Sequence, residues 1–196
     1  METPFGVLPP RQPGDAAGTL AVQVIALVNS PSSVDSAPLR DTLGAMLAAP
    51  VGRRVLAIDG PAGARLPAGF ELMAQRGGDF GDRLAGALAD AYALAALPML
   101  LVRSDAMDMT PDVLTDAARS LLSGEADAAF GPASDGGFWL LGLHRPDRSL
   151  VAGIPGTATG GAPAAGAGRV LLDRLASAGL RVALAPRREI GGVLAG

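Results

Sequence analysis

The hydrophobic positions of this chain fall into short unbroken runs separated by polar or glycine-rich stretches. The first run, TLAVQVIALV at residues 19–28, is apolar almost throughout and rich in β-branched residues, the pattern of a strand covered on both faces. After the polar NSPSSVDSA comes PLRDTLGAMLAA, in which Leu39, Leu43, Met46 and Leu47 recur at helical spacing and Pro38 suits a first turn. The alternation then repeats. RRVLAI predicts a strand, GPAGARLPAG a loop and FELMAQ a short strand leading into RGGDFG. DRLAGALADAYALAAL predicts a helix with Leu84, Leu88 and Tyr92 on one stripe. PMLLVR predicts another buried strand and SDAMDMT a loop. Thr110 and Pro111 then read as the N-cap and first residue of a helix that turns Leu114, Ala118 and Leu121 inward. DAAFG and FWLLGL predict two strands, RVLLDRLASAG a helix ended by Gly179, and LRVALA a last strand.

Strands alternating with helices predict an α/β sandwich around a mostly parallel sheet. The DAAFG and FWLLGL pair, with no helix between its strands, predicts an antiparallel element beside it. Residues 1–18 are rich in Pro and Gly and predict a loose arm. The rest, 19–196, reads as a single domain, with a mobile Gly/Ala-rich loop at 153–168 where periodicity is lost.

Composition narrows the chemistry. The chain has 196 residues, enough for one domain with a substantial core, and 49% of them are hydrophobic, which excludes a disordered chain. There is no Cys, so disulfides, thiolate metal sites and a Cys nucleophile are excluded, and the single His144 cannot build a His-rich metal centre. Net charge is -3 and every basic residue is Arg, which argues against a nucleic-acid-coating protein but leaves room for a local Arg pocket around one phosphorylated small molecule. No apolar run reaches the ~18 residues of a membrane span, and the first residues do not read as a secretory leader. The expectation is a soluble cytoplasmic protein whose oligomeric state, homo-oligomer included, is open.

In open α/β sheets ligands bind beyond the carboxyl ends of the strands. Residues 29–37, 75–83, 104–108 and 134–137 occupy such places. Asp105 directly follows a buried strand, where a carboxylate can hold Mg²⁺ or Mn²⁺, and Asp108 lies three residues on. The alternative is that either Asp serves the helix starting near Pro111. In QRGGDFGDR, Gly77, Gly78 and Gly81 precede a helix whose N–H groups can receive anionic oxygens, with Arg76 or Arg83 adding charge. In PASDGGFW, Gly136 and Gly137 permit close approach to a ligand and Asp135 can accept from hydroxyls, whereas the plain reading is a hairpin turn. A Ser134–His144–Asp triad lacks a nucleophile elbow. Phe138 and Trp139 read as core.

Taken together, QRGGDFGDRLAGALADA, LLVRSDAMDMTPDVLTDAARSLL and DAAFGPASDGGFWLLGL resemble a bacterial glycosyltransferase-A-like (GT-A) family of largely unknown function. That family is similar to the guanylyltransferases of 2-phospholactate and phosphoenolpyruvate and, more distantly, to nucleotide-diphospho-sugar transferases. The resemblance covers residues 19–188 and is densest at 75–143. It implies a Rossmann-like three-layer sandwich, a mixed sheet, a nucleotide or nucleotide-sugar donor, a small-molecule acceptor and a divalent cation. Its strand-end Asp corresponds to Asp105, its Gln–Arg–Gly to Gln75, Arg76 and Gly77, and its Asp–Gly–Gly to Asp135, Gly136 and Gly137. With the residue reading above, the expected site has catalytic Asp105 and Asp135, metal contacts from Asp105 and Asp108, and donor contacts from Gln75, Arg76, Gly77, Gly78, Arg83, Gly136 and Gly137.

The departures are equally specific. The family's Lys–Thr–Arg–Leu motif after the first strand is absent, with only Arg40 as a relic. The Pro expected after the strand-end Asp pair is replaced in SDAMDM. The family's Pro–Trp–Ser–Thr corresponds to IPGTATG. Its Asp–Val–Asp–Thr motif near the C-terminus corresponds to REIGG, with Glu189 in place of the first acid and Gly191 in place of the second, which is the one expected to hold metal. Two expectations therefore stand. One is nucleotidyl or glycosyl transfer. The other is a catalytically degenerate relative, a pseudoenzyme that binds a small molecule or a partner.

Overall fold

The computed structural model describes residues 18–28, 36–59, 68–158 and 161–191. All but the last residue of the expected arm at 1–18, most of the 29–37 segment and most of the GPAGARLPAG loop lie outside the described residues.

Among the described residues seven strands form one sheet: β1 (Leu20–Val28), β2 (Val51–Ile58), β3 (Glu71–Ala74), β4 (Met99–Arg103), β5 (Ala128–Pro132), β6 (Phe138–Leu143) and β7 (Val182–Leu184). Their order is β3-β2-β1-β4-β6-β5-β7. β1 pairs in parallel with β2 and β4, β2 with β3, and β5 with β7, while β6 runs antiparallel between β4 and β5. Six strands thus point one way and β6 the other, as the helix-free DAAFG/FWLLGL pair predicts.

The side-chain alternation of the strands sorts the core into two layers. Val22, Val24, Ala26 and Val28 of β1 pack with α1 (Ala37–Ala48) and α3 (Pro111–Leu122). Ile25 and Leu27 of the same strand pack with α2 (Phe80–Leu94), α4 (Arg148–Val151) and α5 (Ala167–Ser177). Helices on both faces explain why the strands read as continuous apolar runs. Leu47, expected on the inner stripe of α1, is exposed because the helix is ending there. α4 is too short to leave a periodic signal. Residues 153–158 and 161–168 are tied by a bridge between Gly156 and Pro163 and by the Ala164 N–H donating to Pro155 O at 2.9 Å.

The short β7 is fastened to β5 by Asp127, whose carboxylate accepts from Arg181 Nε at 2.8 Å and Nη2 at 2.9 Å. The Arg181 side chain and backbone N–H together pull the Asp127 carboxyl down from 3.8 to about 2. Because the folded value is the lower one, this contribution to stability is complete above the unfolded carboxyl's pKa and is lost as pH falls toward the folded value. A carbon-detected NMR titration is expected to give the depressed midpoint for Asp127 in the native chain and an ordinary one in Arg181→Gln.

Candidate functional site

The carboxyl ends of β1 to β5 and β7, and the β5–β6 turn, share one edge of the sheet. β1 is the switch point, since β2 and β3 lie to one side and β4 to the other.

At the β4 end, Arg103 and Asp105 face the same way. Arg103 Nε donates to Asp105 Oδ1 at 2.8 Å and Nη2 to Asp105 Oδ2 at 2.7 Å, a two-pronged fork. The third prong, Nη1, donates to Asp135 Oδ2 at 2.7 Å across the β5–β6 turn. The Arg103 side chain is 6% exposed, and those of Asp105 and Asp135 are 37% and 36% exposed. Burial works against the charge on Arg103, but the hydrogen bonds and charges of Asp105 and Asp135 outweigh it and raise the guanidinium's pKa. Asp105 and Asp135, expected as catalytic groups, are thus brought together by an arginine that sequence reasoning missed. A signal for it existed. Arg103 is the one charged residue in the otherwise apolar PMLLVR, two positions before Asp105 and so on the same side of an extended chain.

The C-terminal segment closes over this pair. Met107 N–H donates to Glu189 O at 2.9 Å, Gly191 N–H to Asp105 O at 2.8 Å, and Ser134 N–H to Arg188 O at 2.9 Å. Arg188 lies 5.0 Å from the centre of the buried Trp139 ring and donates to Met107 O and Asp108 O, holding the loop in which Asp108 has φ 54. Gly191 sits beside Asp105, and a Cβ there would lie 2.8 Å from Pro38 Cγ. Glu189 is exposed. Among the described residues no three His, Cys, Asp or Glu side chains gather as a cation site. With Asp105 and Asp135 both engaged by Arg103, the side chains present do not by themselves fit the divalent cation that the resemblance implies.

The Asp135–Gly136–Gly137 turn is shaped by the protein itself. Asp135 Oδ1 accepts from Gly137 N–H at 2.9 Å, and Gly136 O accepts from Gly166 and Gly168 N–H at 3.1 and 3.2 Å. Gly136 has φ 82, and a Cβ on Gly137 would lie 2.8 Å from Pro163 Cγ. The close backbone approach that these glycines allow is to the start of α5. A cavity of about 270 Å³ adjoins the turn, lined by Gly136, Gly137, Gly168, Arg169, Leu172 and Arg187 among others.

The 75–83 segment divides. Gln75 Nε2 donates to Val28 O at 3.1 Å and Ala57 O at 2.8 Å, tying the ends of β1 and β2. Arg76 is exposed and paired with Asp90 on the flank of α2, away from the strand-end carboxylates. Gly77, at φ 128, passes so close to α2 that a Cβ would lie 2.7 Å from Arg83 N, while Gly78 faces open space. The amino end of α2 is capped by Asp79, whose Oδ1 accepts from Asp82 N–H at 2.7 Å. That end is served by a carboxylate of the chain. Arg83 is different. Its Nη1 donates to Asp59 Oδ2 at 2.9 Å just beyond β2, while Nε and Nη2 are buried with no partner among the described residues.

Residues 42–157, more than half of the chain, match the sequence profile of a family described as an uncharacterized protein conserved in bacteria (DUF2064). The chain belongs to this family. No curated protein matches it. Among solved structures, a candidate nucleotide-diphospho-sugar transferase from Desulfovibrio desulfuricans G20 is similar with a TM-score of 0.70 and 20% identity, over 87% of this chain and 81% of that one. CMP:2-keto-3-deoxy-manno-octonic acid synthetase, complexed with CTP, is similar at 0.55 and 11%, over 87% and 92%. The mannosyltransferase PcManGT from Pyrobaculum calidifontis, in complex with GDP-Man and Mn²⁺, is similar at 0.54 and 17%, over 95% of this chain and 62% of that one. At these identities the likeness shows the fold alone. This DUF2064 chain has the GT-A, Rossmann-like fold of nucleotide-diphospho-sugar transferases, and no helix among its described residues is long and apolar enough to cross a membrane.

Proposed function

We propose that this chain binds a nucleotide or nucleotide-sugar over the carboxyl ends of β1, β2 and β4 as a binding relative of the nucleotidyl- and glycosyltransferases, with Arg83 receiving a phosphate. Arg83 carries the reading. A guanidinium with two buried, unpartnered N–H groups costs stability, and a phosphate that entered beside Asp59 would satisfy both in charge-assisted bonds. Arg83 lies at the strand-end edge where ligands of open α/β sheets bind. The Arg103 fork favours binding over metal-assisted transfer, because it engages both strand-end carboxylates.

A second reading, transfer of a nucleotidyl or glycosyl group to a small acceptor, is favoured by the cavity beside Gly136 and Gly137, which has room for one and carries Arg169 and Arg187 on its wall. Thermal unfolding of the native chain with a panel of nucleotides and nucleotide-sugars, in chelator, tests the first reading. A ligand that binds only the folded state adds ~2.7 kcal/mol at a hundred times its dissociation constant. An upward shift with at least one member is expected, and no shift with any member contradicts it. Donor consumption that disappears in Asp105→Ala would establish the second reading instead.

A further inference from the structure

Arg103 sits between the two carboxylates that face the candidate site. Its three nitrogens reach three of their four oxygens: Asp105 Oδ1 at 2.8 Å, Asp105 Oδ2 at 2.7 Å and Asp135 Oδ2 at 2.7 Å. The fourth, Asp135 Oδ1, accepts from Gly137 N–H at 2.9 Å. Each of the four oxygens thus accepts one hydrogen bond from a donor of the chain. We infer that Arg103 is the resident cation of this site, fixing Asp105 to Asp135 and so the loop after β4 to the β5–β6 turn, and that the site does not take a divalent ion. This concerns the chain's own side chains, without nucleotide, and does not depend on the proposed nucleotide binding.

Three observations carry it. A hard divalent ion that drew its protein ligands from Asp105 and Asp135 would have to compete with the guanidinium for both carboxylates, and the guanidinium's charge repels it. That group has nowhere to go, since its side chain is 6% exposed and its backbone is paired to Leu27 inside the sheet. Among the described residues no third acid gathers with Asp105 and Asp135. Position 191, which abuts Asp105 through its N–H, is glycine, and Pro38 occupies the space of a side chain there. The charges also balance differently from those of a metal centre. One guanidinium against two carboxylates leaves the trio at a net −1, and an arginine stays charged throughout the working pH range. The site therefore keeps its geometry in chelator, where a metal centre would lose it.

The test is a titration of Mn²⁺ alone, without nucleotide, followed by the electron paramagnetic resonance signal of the free ion. With the native chain the signal is expected to match that of buffer. In Arg103→Gln, which removes the charge and leaves two facing carboxylates, part of the free-ion signal is expected to disappear, and Asp105→Asn added to that variant restores it. Native protein that binds Mn²⁺ and loses it in Asp105→Asn overturns the inference, as does a folded Arg103→Gln protein that binds no Mn²⁺. Should Arg103→Gln fail to fold, paramagnetic broadening in the native chain decides. Sharp Ala106, Gly136 and Gly137 amide signals in Mn²⁺ support the resident arginine, and broadening confined to them overturns it.

Discussion

Arg83→Met is expected to bind nucleotide about a hundredfold more weakly than the native chain and, without ligand, to unfold at an equal or higher temperature. Two charge-assisted hydrogen bonds are worth roughly 1.5–3 kcal/mol each, and each 1.4 kcal/mol is about a factor of ten in affinity. The gain in the free protein comes from the same two N–H groups, because a buried donor left unsatisfied costs about 1–3 kcal/mol. Methionine keeps the apolar length of the stem and removes the donors. The pair with Asp59 is also lost, but that carboxylate is 46% exposed and can be hydrated, so the loss is small. Calorimetric titration of both proteins against the same nucleotide, with thermal unfolding of each alone, checks both halves. Unchanged affinity together with reduced stability would make Arg83 a structural partner of Asp59 and nothing more.

The second large effect concerns folding. Gly131 in β5 lies opposite Leu140 of β6. A Cβ there would overlap the Trp139 ring, 2.6 Å from Nε1, and stand 2.9 Å from Leu140 Cβ. The indole cannot yield. It is fully buried, its N–H donates to Pro186 O at 3.0 Å, and Arg188 covers its face. Gly131→Ala should therefore sit at the upper end of overpacking costs, about 3 kcal/mol, or roughly 6–12 °C in Tm for a domain of this size. Gly44 is the internal contrast, since it is exposed in α1 with nothing within 4 Å of a built Cβ. Gly44→Ala should stabilise by about 0.5–1 kcal/mol. Parallel thermal melts of the two variants are expected to move in opposite directions. A Gly131→Ala melt within a degree or so of native would mean that the β5–β6 face is loosely packed.

What could be read from the sequence follows from what each signal depends on. Strands buried on both faces announce themselves as apolar runs, so β1, β4 and β6 are legible, and the missing helix before FWLLGL exposes the one antiparallel strand. Helix starts are less certain. α2 begins at Phe80, two residues before the expected DRLAGAL run, because Asp79 caps it. At the site, residue type and place were legible but partnership was not. Asp105 and Asp135 are 30 residues apart in the chain, and only β6, inserted between β4 and β5, brings them onto one arginine. The glycines of the Asp135 turn could serve a ligand or a hairpin by sequence. The chain uses them to seat α5, a tertiary contact that no local pattern encodes. The glycine-rich lead into α2 is similar, with Gly77 serving helix packing and Asp79 serving the N–H groups that an anion was expected to meet.

The most direct test of phosphate binding at Arg83 is the ¹H–¹⁵N signal of its Nε–H group, followed by NMR while a nucleotide that stabilises the native chain is added in chelator. The account predicts that this signal moves with saturation and that the Arg103 Nε–H signal, already bonded to Asp105, stays where it is. A nucleotide that saturates the protein and leaves Arg83 Nε–H unmoved would contradict it.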